Sequence, residues 1–224
     1  MDFDFIQRFA PMYVKAAGLT LRIGLIGILL SLAVGALCCL AKYFRVPVLK
    51  QIASVYIELA RNTPLLVQLF FLYFGLPKVG VKLSAEACAI TGLTFLGGAY
   101  MAEALRSGLD AVDKGQTEGG MCIGLTPLQN LRFVILPQAL ATAIPAIGAN
   151  AIFLIKETSV FSAVALADLM YVAKDLIGMY YKTDEALLML TLAYLTLLLP
   201  ISIAFSWLER RLRYAGFGSA VQGQ

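Results

Sequence analysis

From Leu19 to Ala41 the chain runs for 23 residues with one charge, Arg22, and a segment of that length and polarity has few places to go. About 20 mostly apolar residues are what a helix needs to cross the hydrocarbon of a bilayer. The whole sequence agrees with this segment: 60% of the 224 residues are hydrophobic, 14% are charged and the mean hydropathy is +0.81. Soluble domains sit near 45–50% apolar and 25% charged. A lipid-spanning chain must satisfy its backbone polar groups internally, so the sequence is expected to fold as an all-α membrane protein.

Five transmembrane helices are predicted. Leu19 to Ala41 is the first. Pro64 to Leu76 is intensely apolar but short, so the second span is expected to start within Ser54 to Ala60 and to kink or enter at Arg61-Asn62-Thr63-Pro64. The third runs from Ala85 to Ala104, the fourth from Leu140 to about Leu166 and the fifth from Ala186 to Leu208. An odd number of spans puts the termini on opposite sides. Lys42, Arg45, Lys50, Arg61, Arg106, Lys114, Arg132, Arg210, Arg211 and Arg213 fall on one side, and Arg8, Lys15, Lys78, Lys82, Lys174 and Lys182 on the other. Ten against six predicts the first side as cytoplasmic, with the N-terminus outside and the C-terminus inside. The opening residues Met1-Asp2-Phe3-Asp4 are acidic where a signal peptide would be basic, so the first hydrophobic helix is expected to remain.

The chain reads as one domain without internal repeats: an external segment over residues 1–16, a transmembrane domain over 17–213 and a cytoplasmic tail over 214–224. Its chemistry is narrow. There is no histidine, which removes the usual general base and the commonest transition-metal ligand. Cys38, Cys39, Cys88 and Cys122 lack the paired spacing of a metal or redox site and read as small core hydrophobes. No Gly-x-x-x-x-Gly-Lys-Ser/Thr phosphate loop occurs, and a net charge of +4 spread over short loops does not suggest nucleic acid.

Two polar constellations stand out. The first is Glu118-Gly119-Gly120-Met121-Cys122-Ile123-Gly124, followed after nine residues by Val134-Ile135-Leu136-Pro137. No lipid-facing segment could hold it. Gly124, Thr126 and Pro127 predict a helix stop and restart, and Pro137 is expected to begin the return to the membrane. The segment reads as a docking surface or, alternatively, as an amphipathic interfacial helix. The second is Lys156-Glu157-Thr158-Ser159, after an uncharged run from Phe133 to Ile155. A charge at bilayer depth costs about 2.5–3.5 kcal/mol even on the lenient insertion scale. The pair is therefore expected to line a transport pathway within the span or at a broken helix; if the span ends at Ile155, it is merely interfacial. Gln68, uncharged and mid-span, is a further pathway candidate or a bond to a neighbouring helix.

The spacing of the first constellation resembles the loop by which membrane subunits of ATP-driven importers grip their ATPase: Glu-Ala-Ala, three residues, Gly, nine residues, Ile, one residue, Leu-Pro. Glu118, Gly124, Leu136 and Pro137 fall in register, while Gly119 and Gly120 replace the two alanines. Each glycine costs a helix roughly 1 kcal/mol relative to alanine, so this docking helix is expected to be less stable than the common form. Glu58-Leu59-Ala60-Arg61-Asn62-Thr63-Pro64-Leu65-Leu66-Val67-Gln68 and Ala99-Tyr100-Met101-Ala102-Glu103-Ala104-Leu105-Arg106 are similar to motifs of the polar amino-acid importer permeases, and the resemblance covers about Ala17 to Arg213.

That resemblance implies a type I ABC importer permease with a cytoplasmic coupling helix. The chain would pair with a second copy or a paralogue, bind a cytoplasmic ABC ATPase dimer, and receive a polar amino acid from an external solute-binding protein. It would bind no cofactor of its own, ATP and Mg being held by the ATPase. Coupling falls to Glu118, Gly119, Gly120, Gly124, Leu136 and Pro137; the substrate pathway to Gln68, Lys156, Glu157, Thr158 and Ser159. Glu58, Arg61, Glu103 and Arg106 have an alternative as helix-end ion pairs or snorkelling charges. A self-contained ion-coupled carrier, with Glu157 and Glu103 as ion or proton sites, is the alternative function. An intramembrane enzyme lacks a convincing nucleophile and base.

Overall fold

The computed structural model describes residues 1–212; Arg213 and the tail over 214–224 lie outside them. The described residues form helices and turns without a strand. In chain order these are α1 (Phe3–Tyr43), α2 (Pro47–Arg61), α3 (Leu65–Phe70), α4 (Ala85–Asp110), α5 (Lys114–Cys122), α6 (Pro127–Asn130), α7 (Leu136–Glu157), α8 (Leu169–Tyr180) and α9 (Thr183–Leu212). Among the described residues four helical stretches are long and apolar enough to cross a membrane: Phe3–Tyr43, Ala85–Asp110, Pro127–Val164 and Thr183–Arg211. The fifth crossing is a bent pair, Pro47–Arg61 with Leu65–Val79, turning through 102° at its break.

The break falls where Arg61 to Pro64 predicted it. Pro64 has no N–H to give and pushes Thr63 out of the helical region. Within a membrane the carbonyls freed by such a break need donors. Gln68 supplies them: its amide donates to Ala60 O at 3.3 Å and Thr63 O at 3.1 Å, while the Thr63 hydroxyl reaches back to Leu59 O at 2.8 Å. The helix before the break begins at Pro47, not near Ser54, because Pro47 is well suited to a first helical position.

Boundaries differ elsewhere. Residues 3–16, expected as a segment apart from the span, are the first turns of α1. Phe5, Phe9 and Tyr13 pack there against Leu169, Val172 and Leu176 of α8 and Ala186 of α9. The Phe5 N–H, and then the Lys182 ammonium at 3.1 Å, hold the Asp2 carboxyl below its ordinary value. The fourth span keeps α-geometry only to Glu157, then tightens into a 3₁₀ turn over Thr158–Val164 that ends at Ala165 with φ +56. Helix α8 was not foreseen.

The main core joins Ile23 and Ile28 of α1, Leu65 and Leu69 of α3, Leu93 and Met101 of α4, Leu154 of α7 and Phe161 of the 3₁₀ turn. Helices approach closely in it: a Cβ on Gly35 would lie 2.8 Å from the backbone N of Ala102, a contact only glycine tolerates. Outside the core, large apolar side chains such as Leu29, Leu37, Leu199 and Ile203 are exposed, as suits a surface that meets lipid. Cys39 and Cys88 are buried as expected, whereas Cys122 is exposed on α5.

Candidate coupling segment and pathway

The polar stretch between α4 and α7 folds by strictly local rules. Asp113 caps α5, its side chain accepting the Gly115 N–H at 2.7 Å. The helix ends on Gly124, whose φ of +85 suits glycine best. The Gly124 N–H bonds to Met121 O at 2.9 Å and the Leu125 N–H to Gly120 O at 3.1 Å, the paired bonds that close a Schellman turn. Thr126 then opens α6 in a capping box with Gln129, with Pro127 in the first turn. Helix, turn, helix is what Gly124, Thr126 and Pro127 predicted.

One detail differs. The return towards the membrane begins at Pro127, and Pro137 lies inside a helix that runs on through a π-turn over Leu131–Ile135. There the Leu136 N–H reaches Leu131 O. A ring at Pro137 would otherwise crowd the carbonyl four residues back, and one extra residue in the turn relieves it. Glu118, Gly119, Gly124, Leu136 and Pro137 are all exposed, while Gly120 is buried. Beside them Met121, Ile123, Leu128 and Phe133 are exposed by 55, 77, 66 and 63%. These apolar side chains share the segment with Leu131 and Ile135, which are buried, and the sequence alone does not tell the two sets apart.

Above this segment Glu103 gathers three cations at the ends of three helices: Arg106 at 2.8 Å, and Lys42 and Arg61 at 3.7 Å. Arg106 also holds Asp110 at 2.6 Å. The geometry is that of the helix-end ion pairs weighed as the alternative; half-exposed pairs of this kind stabilise by at most about 1 kcal/mol each. Glu58 sits at a helix end too, its carboxylate accepting from Asn62 at 3.3 Å.

The pathway candidates separate. Lys156 is exposed and Glu157 partly exposed at the last residues of α7, where α-geometry passes into the 3₁₀ turn. Thr158 is fully buried, its hydroxyl donating to Ile155 O at 2.6 Å, which commits its proton to closing the turn; Ser159 is half-buried. Gln68 faces another space, a crevice of about 420 Å³ lined by Thr63, Val67, Phe71, Thr91 and Phe95. The structure does not bring it to Lys156 or Glu157 there.

A residue the sequence did not single out lies close by. Asp168 has no exposure, caps α8 by accepting the Tyr171 N–H at 2.9 Å, and leaves its other oxygen unpartnered. Burial pushes its carboxyl up to about 6, against the pull of neighbouring N–H groups and Lys174.

Among the described residues, five crossings packed on a main core, with an exposed helix pair between the third and the fourth, have the architecture of a multi-pass membrane subunit. Residues 25–214 match the family model of the binding-protein-dependent transport system inner membrane component, and the chain belongs to that family: it is a membrane-spanning permease subunit of an ABC importer. It is 34% identical to the probable amino-acid ABC transporter permease protein PatM of Vibrio harveyi, over 96% of this chain and 97% of that one. It is 42% identical to the probable glutamine ABC transporter permease protein GlnP of Bacillus subtilis, over 71% and 73%. A crystal structure of an amino acid ABC transporter with histidines superposes with a TM-score of 0.88 at 32% identity, covering 94% of this chain and 99% of that one. The MetNI methionine ABC transporter, at 22% identity and a TM-score of 0.73, shares the fold.

Proposed function

We propose that this chain forms the translocation pathway for a polar amino acid, taken from an external solute-binding protein and moved at the expense of ATP hydrolysed on a cytoplasmic ATPase dimer, where ATP and Mg are bound. The N-terminus lies outside and the C-terminus inside, so that the α5–α6 pair faces the ATPase. A second copy of the chain or a paralogue completes the pathway. The observation that carries this reading is the exposed helix–turn–helix around Gly124, held by its own caps and presenting Glu118, Gly119, Leu136 and Pro137. The amino-acid relatives support the substrate class. Glu157, partly exposed where α7 breaks, contacts the substrate ammonium or a cationic side chain, with Lys156 and Ser159 beside it. Affinity rests mainly with the binding protein, since a permeation site must also release.

The test is co-purification of the tagged chain from its native membrane, followed by an ATPase assay with binding protein and amino acid. An ATPase that comes down with the wild type, and whose stimulation is lost in Gly124→Asp, supports the reading; a chain that comes down alone and moves amino acids on an ion gradient defeats it. In the assembled complex Glu157→Gln is expected to lower uptake, and unchanged uptake and affinity would remove Glu157 from the pathway.

A further inference from the structure

Gly119 and Gly120 read alike in the sequence, yet their surroundings are opposite. A Cβ on Gly119 would meet nothing within 4 Å, whereas one on Gly120 would lie 2.6 Å from Cγ and 2.9 Å from Nδ2 of Asn130, and closer still to Oδ1. Asn130 ends α6 and is 1% exposed. Its Nδ2 donates to Thr117 O at 2.8 Å, across the turn and one helical turn below Gly120. Its Oδ1 has no hydrogen-bond partner and rests against the face that Gly120 leaves bare. A buried amide half-satisfied in this way is costly to keep, so its seating needs a reason. Its position supplies one. Asn130 is the last residue before the π-turn through which α6 runs unbroken into the membrane helix α7. Gln138, on α7, adds a second tie by donating to Gln116 Oε1 at 3.3 Å.

We infer that Asn130, seated in the notch of Gly120, is the positioning residue that fixes the docking helix α5 to the α6–α7 rod and passes its displacement into the membrane. This rests on α5 being the helix that the ATPase grips. A helix pair joined only by the turn at Gly124 would pivot there when pushed. The side chain locked between Thr117 and Gly120 makes the pair move as one body, because packed interfaces shift between discrete arrangements and do not deform smoothly. The glycine that weakens α5 as an isolated helix is thus the socket its neighbour requires.

Paired variants in the whole complex, reconstituted with its ATPase and binding protein, test this by the amount of amino acid moved per ATP hydrolysed. Gly120→Ala, which drives a methyl into Asn130, is expected to lower that ratio about tenfold, within the coupling measured for residues in direct contact. The double variant Gly120→Ala with Asn130→Ala, in which the same lock is lost once, is expected to show about the loss of the single variants and not the product of their losses. Asn130→Ala alone, which leaves α5 intact but unlocked, is expected to lower the ratio by itself and covers the case in which Gly120→Ala does not accumulate. A wild-type ratio in Gly120→Ala or in Asn130→Ala, or a double variant whose loss is the product of the two single losses, overturns the inference. A wild-type chain that binds no ATPase overturns the docking reading beneath it.

Discussion

The long helix that ends as α7 is entered through Gly124, Thr126 and Pro127, all exposed and bonded only to residues within five positions of themselves. It is left through Thr158, Ala165 and Asp168; the first and last of these have no exposure, and the polar caps there meet other helices. The Thr20 hydroxyl of α1 accepts the Leu169 N–H at 3.4 Å. Asp168 is walled in among α1, α8 and α9. The first connection can be rotated or gripped as a unit without disturbing the core. The second is part of the core and answers to whatever changes inside it. In a subunit that takes a push on one face and opens a path to the other, a self-contained lever at one end and a buried joint at the other is a workable division.

The largest expected difference between the two ends is their response to pH. The Asp168 carboxyl titrates at about 6 in the folded chain, against 3.8 for a free aspartate. The folded state therefore holds this proton more tightly than the unfolded one. The stability so gained is fully present below about pH 4 and is lost as pH rises through about 6, by roughly 3 kcal/mol for a shift of this size. Asp168→Asn keeps an oxygen for the Tyr171 N–H and removes the titration. Thermal unfolding of the purified chain, followed by the fluorescence of its one tryptophan, is expected to show the wild type losing stability between pH 4 and 7 relative to Asp168→Asn. Parallel curves would mean the buried joint is indifferent to charge, and the contrast with the exposed connection would lose its chemical basis.

What was legible in the sequence divides along the same line. Gly124, Thr126 and Pro127 announced their turn because capping is decided within a few residues, and Arg61 to Pro64 announced the break because proline acts on its immediate neighbours. The five crossings followed from apolar length. The unforeseen features all depend on distant parts of the chain. Helix α8 starts at Asp168 only because the chain has turned at Ala165 and met α1. The first turns of α1, with Arg8 and Lys15 among them, are held by packing on α8 and α9. Gly120 read as a weakness because its partner Asn130 lies ten residues on.

A smaller effect tests whether the exposed end is as self-contained as it looks. Thr126→Ala removes the half of the capping box in which the Thr126 hydroxyl accepts the Gln129 N–H, while the Thr126 N–H keeps its bond to Gln129 Oε1, and such a loss costs about 1 kcal/mol. Because the cap is local, hydrogen exchange is expected to quicken at the amides of residues 127–130 while those of α4 and α9 stay as they were. Faster exchange spreading into α4 would show that the lever shares its stability with the core.

The smallest expected change is at Gly119, and its sign depends on what α5 is touching. In the isolated chain a methyl there meets open space, so Gly119→Ala should stabilise α5 by up to about 1 kcal/mol through the lower entropy of the unfolded chain. Slower hydrogen exchange over residues 114–122 would register it. In the proposed complex that space is open to the ATPase. If the ATPase surface closes over Gly119, the methyl has to displace it, and affinity for the ATPase falls even as the helix itself becomes firmer. A variant firmer alone and weaker in complex would map the docking face onto the side of α5 that carries Gly119. A variant firmer in both would place the contact on the opposite side, towards Met121, and would leave Gly119 with no part in docking.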